Sequence, residues 1–215
     1  MLPLTRRSLP VARLCAIFGF MPTRRALVVL LLPLFAQAEA ASSRDHELAA
    51  TLYAARISSE PGWEDVFINP VGADYIDSYL AAAGVCRTYA RYLDGGLHLE
   101  AGGQAAYYFG DQHYWELDAV PVQLRWRRFP WNNRVATSAA FGIGLSYTTE
   151  LPEIEVQLEG ESSRLLIYWV AEVTAGLPGR SWALSLRLHH RSVAYGLMGD
   201  EGGMNALGLG LRWRF

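Results

Sequence analysis

The sequence has few cysteines and little net charge, and each shortage excludes a class of protein. It contains 2 cysteines in 215 residues, and Cys15 lies in an N-terminal segment that we expect to be removed. A single remaining thiol cannot form an internal disulfide, so we interpret Cys86 as a packing residue. The formal net charge of -2 gives no electrostatic bias toward nucleic acid, and we expect no nucleic-acid partner.

Motifs for cofactor and metal binding are also missing. The sequence has no glycine-rich phosphate motif ahead of a helix and no Cys/His spacing that is typical of a metal site. His189 and His190 are neighbours in a predicted strand, so their side chains point to opposite faces, which argues against one shared metal. The sequence therefore predicts neither a cofactor nor a metal.

Beyond residue 40 the chain lacks an apolar run of about 18 residues, the length that indicates a membrane-spanning helix. The N-terminal segment differs: after Met21 come two arginines, the run A-L-V-V-L-L-L-P-L-F and then small residues, which is the pattern of a secretory signal. Either translation starts at Met21 or the basic region is unusually long. We expect cleavage after Ala38 or Ala40, so that 1–40 is the signal region and 41–215 the mature domain. An exported chain of this kind can cross a membrane as a β-barrel.

Apolar residues alternate with polar or small ones along the mature part, with the period of two that indicates strands. Turn signals such as Asp94-Gly95-Gly96 separate these segments. The count is about eight strands, which predicts a small antiparallel transmembrane barrel in the outer membrane of a Gram-negative bacterium, apolar outside and polar inside. The pattern is clearest in the last segment, where one face carries Leu207, Leu209, Leu211, Trp213 and Phe215.

The predicted strands have three further consequences. Trp115 and Leu117 differ in parity from a second run that begins at Val120, so we expect a bulge between Asp118 and Pro121. The links over 59–77 and 150–161 are expected to be loops at one end of the barrel. Five charged residues fall on the inner face and should pair with one another, because buried charges need partners: Glu100, Arg125, Glu172, Arg187 and Arg212.

Three polar residues interrupt the apolar face at one end of the last two strands. His190 and Ser192 are two positions apart, so their Cβ atoms should be about 6 to 7 Å apart on one face, and Asn205 begins the next strand at a similar height. A serine nucleophile needs a base, and that base needs an orienting group. One interpretation is a catalytic group on the lipid-facing surface. The other is that the three residues mark the membrane–water boundary, where polar side chains cost little.

The same residues carry a resemblance to a known family. H-R-S at 190–192, then a glycine-containing loop, then G-x-N at 203–205 before an apolar last strand resembles the outer-membrane lipid A 3-O-deacylase (PagL-type) family. The segments A-V-P-V-Q-L-R-W, F-G-I-G-L and W-A-L-S-L-R-L-H-H-R-S occur in the family's order. The resemblance implies an eight-stranded barrel esterase that removes the 3-position acyl chain of lipid A in lipopolysaccharide. In that enzyme Ser192 would be the nucleophile, His190 the general base and Asn205 the orienting residue.

The chain departs from the family's pattern in two places. Val193 stands where the family commonly has asparagine, so backbone N–H groups in the Val193–Gly196 stretch would have to stabilise the oxyanion. The spacing to Asn205 is about one residue longer than usual, which leaves Glu201 as a rival orienting residue. The sequence leaves open whether the barrel is a homodimer. A non-catalytic outer-membrane barrel with a structural or surface-binding role remains the alternative function.

Overall fold

The computed structural model describes residues 47–60 and 62–215. The predicted signal region 1–40, Cys15 and the predicted start of the first strand at His46 lie outside the described residues. The described elements in chain order are β1 Leu48–Ser58, α1 Trp63–Ile68, β2 Tyr75–Tyr92, β3 Leu97–Gly110, β4 Trp115–Trp126, β5 Ala136–Thr148, α2 Glu153–Glu159, β6 Leu165–Gly176, β7 Trp182–Ser192 and β8 Gly203–Arg214. Neither of these helices is long or apolar enough to cross a membrane.

The strands form one closed sheet. Each strand pairs antiparallel with the next, and β1 also pairs with β8, so the described sheet has no free edge. Closure matters in a membrane because every backbone N–H and C=O of the wall finds a partner in a neighbouring strand. The predicted eight-stranded antiparallel barrel is confirmed.

Residues of alternate parity face lipid and interior, as the sequence pattern predicts. On β8, Leu209, Leu211 and Trp213 are more than half exposed, whereas Arg212 between them is 5 % exposed. On β7, Leu184 is 61 % exposed and its neighbour Ser185 is buried. An apolar outer face around a polar interior is the arrangement that a bilayer stabilises.

The charged interior is paired as predicted. Glu100 accepts bonds of 3.0 Å from both Arg125 and Arg212, while Glu172 accepts 2.7 Å from Arg125 and 2.8 Å from Arg187. All five side chains are largely buried, so the pairing offsets the desolvation cost of each charge. The barrel is therefore filled with side chains at this level.

The predicted bulge is present in β4, but Val120 next to it faces the interior, contrary to the prediction. The register with β5 shifts between Ala119 and Val122, within the expected segment. The second apolar run was predicted to begin at Val120; instead, Val120 is buried and packs inside against Tyr168 and Val170. The extra residue of the bulge is Pro121, which is exposed, so the parity changes one position later than the sequence pattern indicated.

Both predicted loops contain a helix that the sequence analysis did not predict. In the 59–77 link, α1 contacts the outer wall near β8, and in the acidic link α2 sits at the mouth of the barrel. Arg191 of β7 holds α2 in place through a 3.1 Å ion pair with Glu155, and both side chains are fully buried. These two segments surround the end of the barrel at which β7 ends and β8 begins.

Candidate active site

His190 and Asn205 form a directly opposed pair across β7 and β8. Their side chains are joined by a hydrogen bond of 2.7 Å between Nδ1 of His190 and Oδ1 of Asn205. The parity of His190 is that of the exposed Leu184 and Leu186, so both side chains project from the outer face of the wall. Two strands of the rigid sheet thus hold the imidazole and the amide in register.

The amide of Asn205 fixes which nitrogen of His190 carries the proton. Its Nδ2 donates to the carbonyl oxygen of Glu60 at 3.2 Å, which turns Oδ1 toward the imidazole. Because Oδ1 can only accept, Nδ1 of His190 must be the donor. The other nitrogen, Nε2, then has a free lone pair, which is the state that a general base requires.

Ser192 lies two residues after His190 and lines the same cavity, whose volume is about 140 Å³. Asn205 and Glu60 also line this cavity. In the hydrogen bonding of the described residues, Ser192 Oγ accepts from the backbone N–H of Ala194 at 3.3 Å, and no bond to His190 is formed. A base and its nucleophile often move within bonding distance only when substrate binds.

The turn after Ser192 has an unusual backbone. Ala194 and Tyr195 have φ of 49° and 57°, and Gly196 follows with φ of 82°. The turn is closed by a 2.9 Å bond from the Leu197 N–H to the Val193 carbonyl. Left-handed conformations are costly for residues with a Cβ and persist where the surroundings enforce them, commonly at functional sites. This turn directs the Ala194 N–H at Ser192, whereas the Val193 N–H is bound to Gly202.

Gly203 leaves room next to the serine. It pairs with Ser192 across the two strands and has φ of 145°. A Cβ at this position would lie 2.4 Å from the Arg191 carbonyl oxygen and 3.0 Å from Ser192 Cα. Only glycine therefore allows β8 to start this close to the end of β7.

The three predicted residues are on the outer face, but the link between β1 and β2 covers His190 and Asn205. His190 is 9 % exposed and Asn205 2 % exposed, whereas residues of the same parity lower on the wall are mostly exposed. The cover includes Glu60, which binds Asn205, and Trp63 of α1, whose ring meets Trp169 edge-on at 5.5 Å. The alternation of β7 and β8 indicated the face but carried no information about a link that folds back onto it.

Glu201, the rival orienting residue, does not reach His190 in this structure. It is exposed, and its Oε2 lies 2.9 Å from the position that a Cβ of Gly160 would occupy. The hydrogen-bond partner of the imidazole is Asn205. The catalytic roles of His190, Ser192 and Asn205 nevertheless remain predictions.

Trp169 is a site residue that the sequence analysis did not single out. It is the β6 partner of His190, and the two rings are 4.4 Å apart. His190 is thus held between an indole on one side and an amide on the other. The sequence pattern indicates that Trp169 faces outward. It does not determine the β6–β7 register, which places this ring beside His190.

The interior next to the site contains three side chains of the kinds that bind metals. The possible ligand atoms of Glu116, Asp118 and His189 all lie within 4.8 Å of one another. They already bond to the protein: His189 Nε2 is 2.9 Å from Glu116, and its Nδ1 is 2.9 Å from the hydroxyl of Tyr53. His189 and His190 point to opposite faces, as predicted, so this cluster is separated from the outer cavity by the wall.

Comparison with known proteins shows the fold. No protein-family model matches the sequence, and no curated protein matches it either. Among solved structures, the outer membrane enzyme PagL has a TM-score of 0.51 with 14% identity, covering 77% of this chain and 98% of PagL. Neisserial surface protein A has a TM-score of 0.46 with 11% identity, and the N-terminal β-barrel domain of Pseudomonas aeruginosa OprF has a TM-score of 0.42 with 10% identity. Each alignment covers 79% of this chain and 97% of the other chain. The similarity to PagL, together with the closed sheet, shows that the chain has the fold of an outer-membrane barrel.

Proposed function

We propose that the protein is an outer-membrane esterase that removes a 3-position hydroxyacyl chain from lipid A of lipopolysaccharide. The observation that carries the proposal is the 2.7 Å bond between His190 and Asn205 beside Ser192 in one outward-facing cavity. The resemblance of the H-R-S and G-x-N motifs to the deacylase family supplies the substrate. Outer-membrane barrels keep their longer loops outside, and the site lies at the loop end, so it would face the outer leaflet, where lipid A lies.

In this mechanism Ser192 Oγ attacks the ester carbonyl of the acyl chain. Nε2 of His190 takes the hydroxyl proton, while Asn205 keeps Nδ1–H oriented. The carbonyl oxygen becomes an oxyanion, and our candidate for its donor is the Ala194 N–H, which donates to Ser192 Oγ at 3.3 Å before the attack. His190 then returns the proton to the sugar oxygen as the ester C–O bond breaks. Water then attacks the carbonyl of the acyl-serine, and His190 takes the water proton and passes it to Ser192 Oγ as the acyl C–O bond breaks, which releases the fatty acid and restores the enzyme.

One observation favours the alternative of a non-catalytic barrel with a structural or surface-binding role. Ser192 Oγ is engaged by Ala194, and a serine without an adjacent base is a weak nucleophile at neutral pH. The two functions differ in whether Ser192 is needed for a change in lipid A.

Mass spectrometry of lipid A tests the proposal. Cells would produce the wild type, Ser192→Ala, or the control Ser181→Ala, whose serine is exposed in the turn before β7 at the opposite end of the barrel. We expect one hydroxyacyl mass to disappear with the wild type and the control, and to remain with Ser192→Ala. Unchanged lipid A in all three strains, with the barrel folded in the outer membrane, would overturn the proposal in favour of the non-catalytic barrel.

A further inference from the structure

An apolar groove runs along the outer wall directly next to His190. It lies between α1 and strands β5, β6 and β7, and its volume is about 290 Å³. Its six lining residues are all apolar or aromatic: Trp63, Phe67, Phe141, Trp169, Ala171 and Leu188. We call this feature the α1 groove.

The α1 groove is connected to the candidate active site through Trp169. This residue lines the groove, and its ring also packs against the His190 ring at 4.4 Å. Leu188 and Ala171, which face each other across β7 and β6, lie one outward position beyond the His190 and Trp169 pair, away from the loop end. The groove therefore starts at the Trp169 ring that packs against the imidazole and extends along the wall toward the middle of the barrel.

The two sides of His190 have opposite character. On the β6 side lies the α1 groove, while on the β8 side lies the cavity that holds Ser192 and Asn205 and is bordered by Glu60 and Glu159. An ester has the same asymmetry, with an alkyl chain on one side of its carbonyl and a polar alcohol on the other. A substrate whose carbonyl lies at Ser192 can thus place its acyl chain in the groove and its sugar in the polar cavity.

The size and chemistry of the α1 groove fit one alkyl chain of medium length. A cavity of about 150 Å³ with an apolar lining holds one benzene molecule, so 290 Å³ accommodates roughly twice as many carbon atoms. Leu188 is only 1 % exposed although it faces outward, whereas Trp63 and Phe67 are each 43 % exposed, so α1 forms the outer side of the groove over the wall. A groove without charged side chains offers nothing to a polar headgroup.

We propose that the α1 groove binds the acyl chain that is cleaved, and that Trp63 and Ala171 determine which chain length is preferred. This inference rests on the proposed esterase function, because it assigns the groove to the substrate of that site. It adds to that function a selection of acyl-chain length by α1 and the barrel wall, which together line the groove.

The test measures hydrolysis of 4-nitrophenyl butyrate, decanoate and hexadecanoate by the purified full-length barrel in detergent. Ala171→Phe fills the groove floor, and Trp63→Ala removes part of its outer side, so either variant should lower the decanoate-to-butyrate ratio of kcat/KM by about tenfold or more. Ala175→Phe is the control, because Ala175 has the same outward parity on β6 but is exposed and lies outside the groove. Its ratio should match the wild type.

The outcomes separate this inference from the proposed function. An active wild type whose ratio is unchanged by both groove variants would overturn the acyl-chain assignment and leave the esterase intact. A wild type that cleaves none of the three esters would overturn the esterase and the groove assignment together. Trp63 lies in a surface helix, so Trp63→Ala does not disturb strand pairing. The ester ratio of this variant can therefore be measured even if Ala171→Phe fails to fold.

Discussion

His190 and Asn205 face each other across β7 and β8, and a 2.7 Å hydrogen bond joins them. The amide of Asn205 is oriented by the Glu60 carbonyl, which belongs to the link after β1, so three parts of the chain determine the imidazole tautomer. An amide orients the ring as a carboxylate does, but it supplies no negative charge to stabilise an imidazolium.

Replacement of Asn205 separates these two contributions. Asn205→Ala should lower kcat/KM for ester hydrolysis by about 100-fold or more, because the imidazole loses its orienting acceptor. Asn205→Asp keeps an acceptor for Nδ1–H and adds a charge, so its kcat/KM should stay within about tenfold of the wild type or exceed it. The measurement is steady-state kinetics with a 4-nitrophenyl ester. Equal activity of the alanine variant and the wild type would show that the imidazole does not depend on Asn205.

The close approach of β8 to Ser192 gives a prediction about stability. Gly203→Ala should be destabilising by at least about 2 kcal/mol more than Gly179→Ala, because it adds overpacking to an unfavourable φ. Gly179 is the matched control: its φ is 79°, but a Cβ there would meet no atom within 4 Å. Urea unfolding midpoints of the two variants measure the difference, and similar midpoints would mean that the backbone at 203 relaxes without cost.

Much of this fold could be predicted from the sequence because membrane barrels follow a local rule. The alternation of β7 and β8 identified the outward position of His190, Ser192 and Asn205, and the inner-face charges were paired as expected. Local parity failed at the Pro121 bulge, where the chain breaks the rule and Val120 faces inward.

The site itself could be predicted only in part. Its outer cover comes from α1, a helix of 6 residues in a link with two prolines, and nothing in its local pattern showed where it would pack. The contact between Trp169 and His190 depends on the β6–β7 register, which a sequence pattern leaves undetermined. The position of α1 and the contact between Trp169 and His190 are both determined by tertiary packing and not by local preference.

The left-handed turn after Ser192 gives a prediction about catalysis. Tyr195 is fully exposed and has φ of 57°, so its side chain can change without loss of packing. Tyr195→Gly tolerates this φ and should keep kcat/KM within a few fold, whereas Tyr195→Pro cannot adopt it and should lower kcat/KM by about 100-fold or more by displacing the oxyanion donor. Kinetics on both folded variants test this. Full activity of the proline variant would argue against a role for the Ala194 N–H.

The ion pair beneath α2 gives the last prediction. Arg191 lies between two carboxylates. Its guanidinium is 3.6 Å from that of Glu116 and 3.1 Å from that of Glu155, and all three side chains are fully buried. Burial raises the pKa of the Glu155 carboxyl above its ordinary value even with the guanidinium beside it. Arg191→Met should therefore cost about 3 to 5 kcal/mol of unfolding free energy, because it leaves buried charge without a partner.

Two further variants make that measurement specific. Arg56→Met removes an arginine from a pair with Asp77 in which the side chains are 44 % and 79 % exposed, so it should cost about 1 kcal/mol or less. Glu116 keeps its 2.9 Å contact with His189, so Glu155 is the carboxylate that loses its charged partner. Adding Glu155→Gln to Arg191→Met removes that charge and should recover part of the loss. If Arg191→Met and Arg56→Met unfold at the same urea concentration, α2 is held by its apolar contacts, and the buried pair contributes no net stability to the loop end beside Ser192.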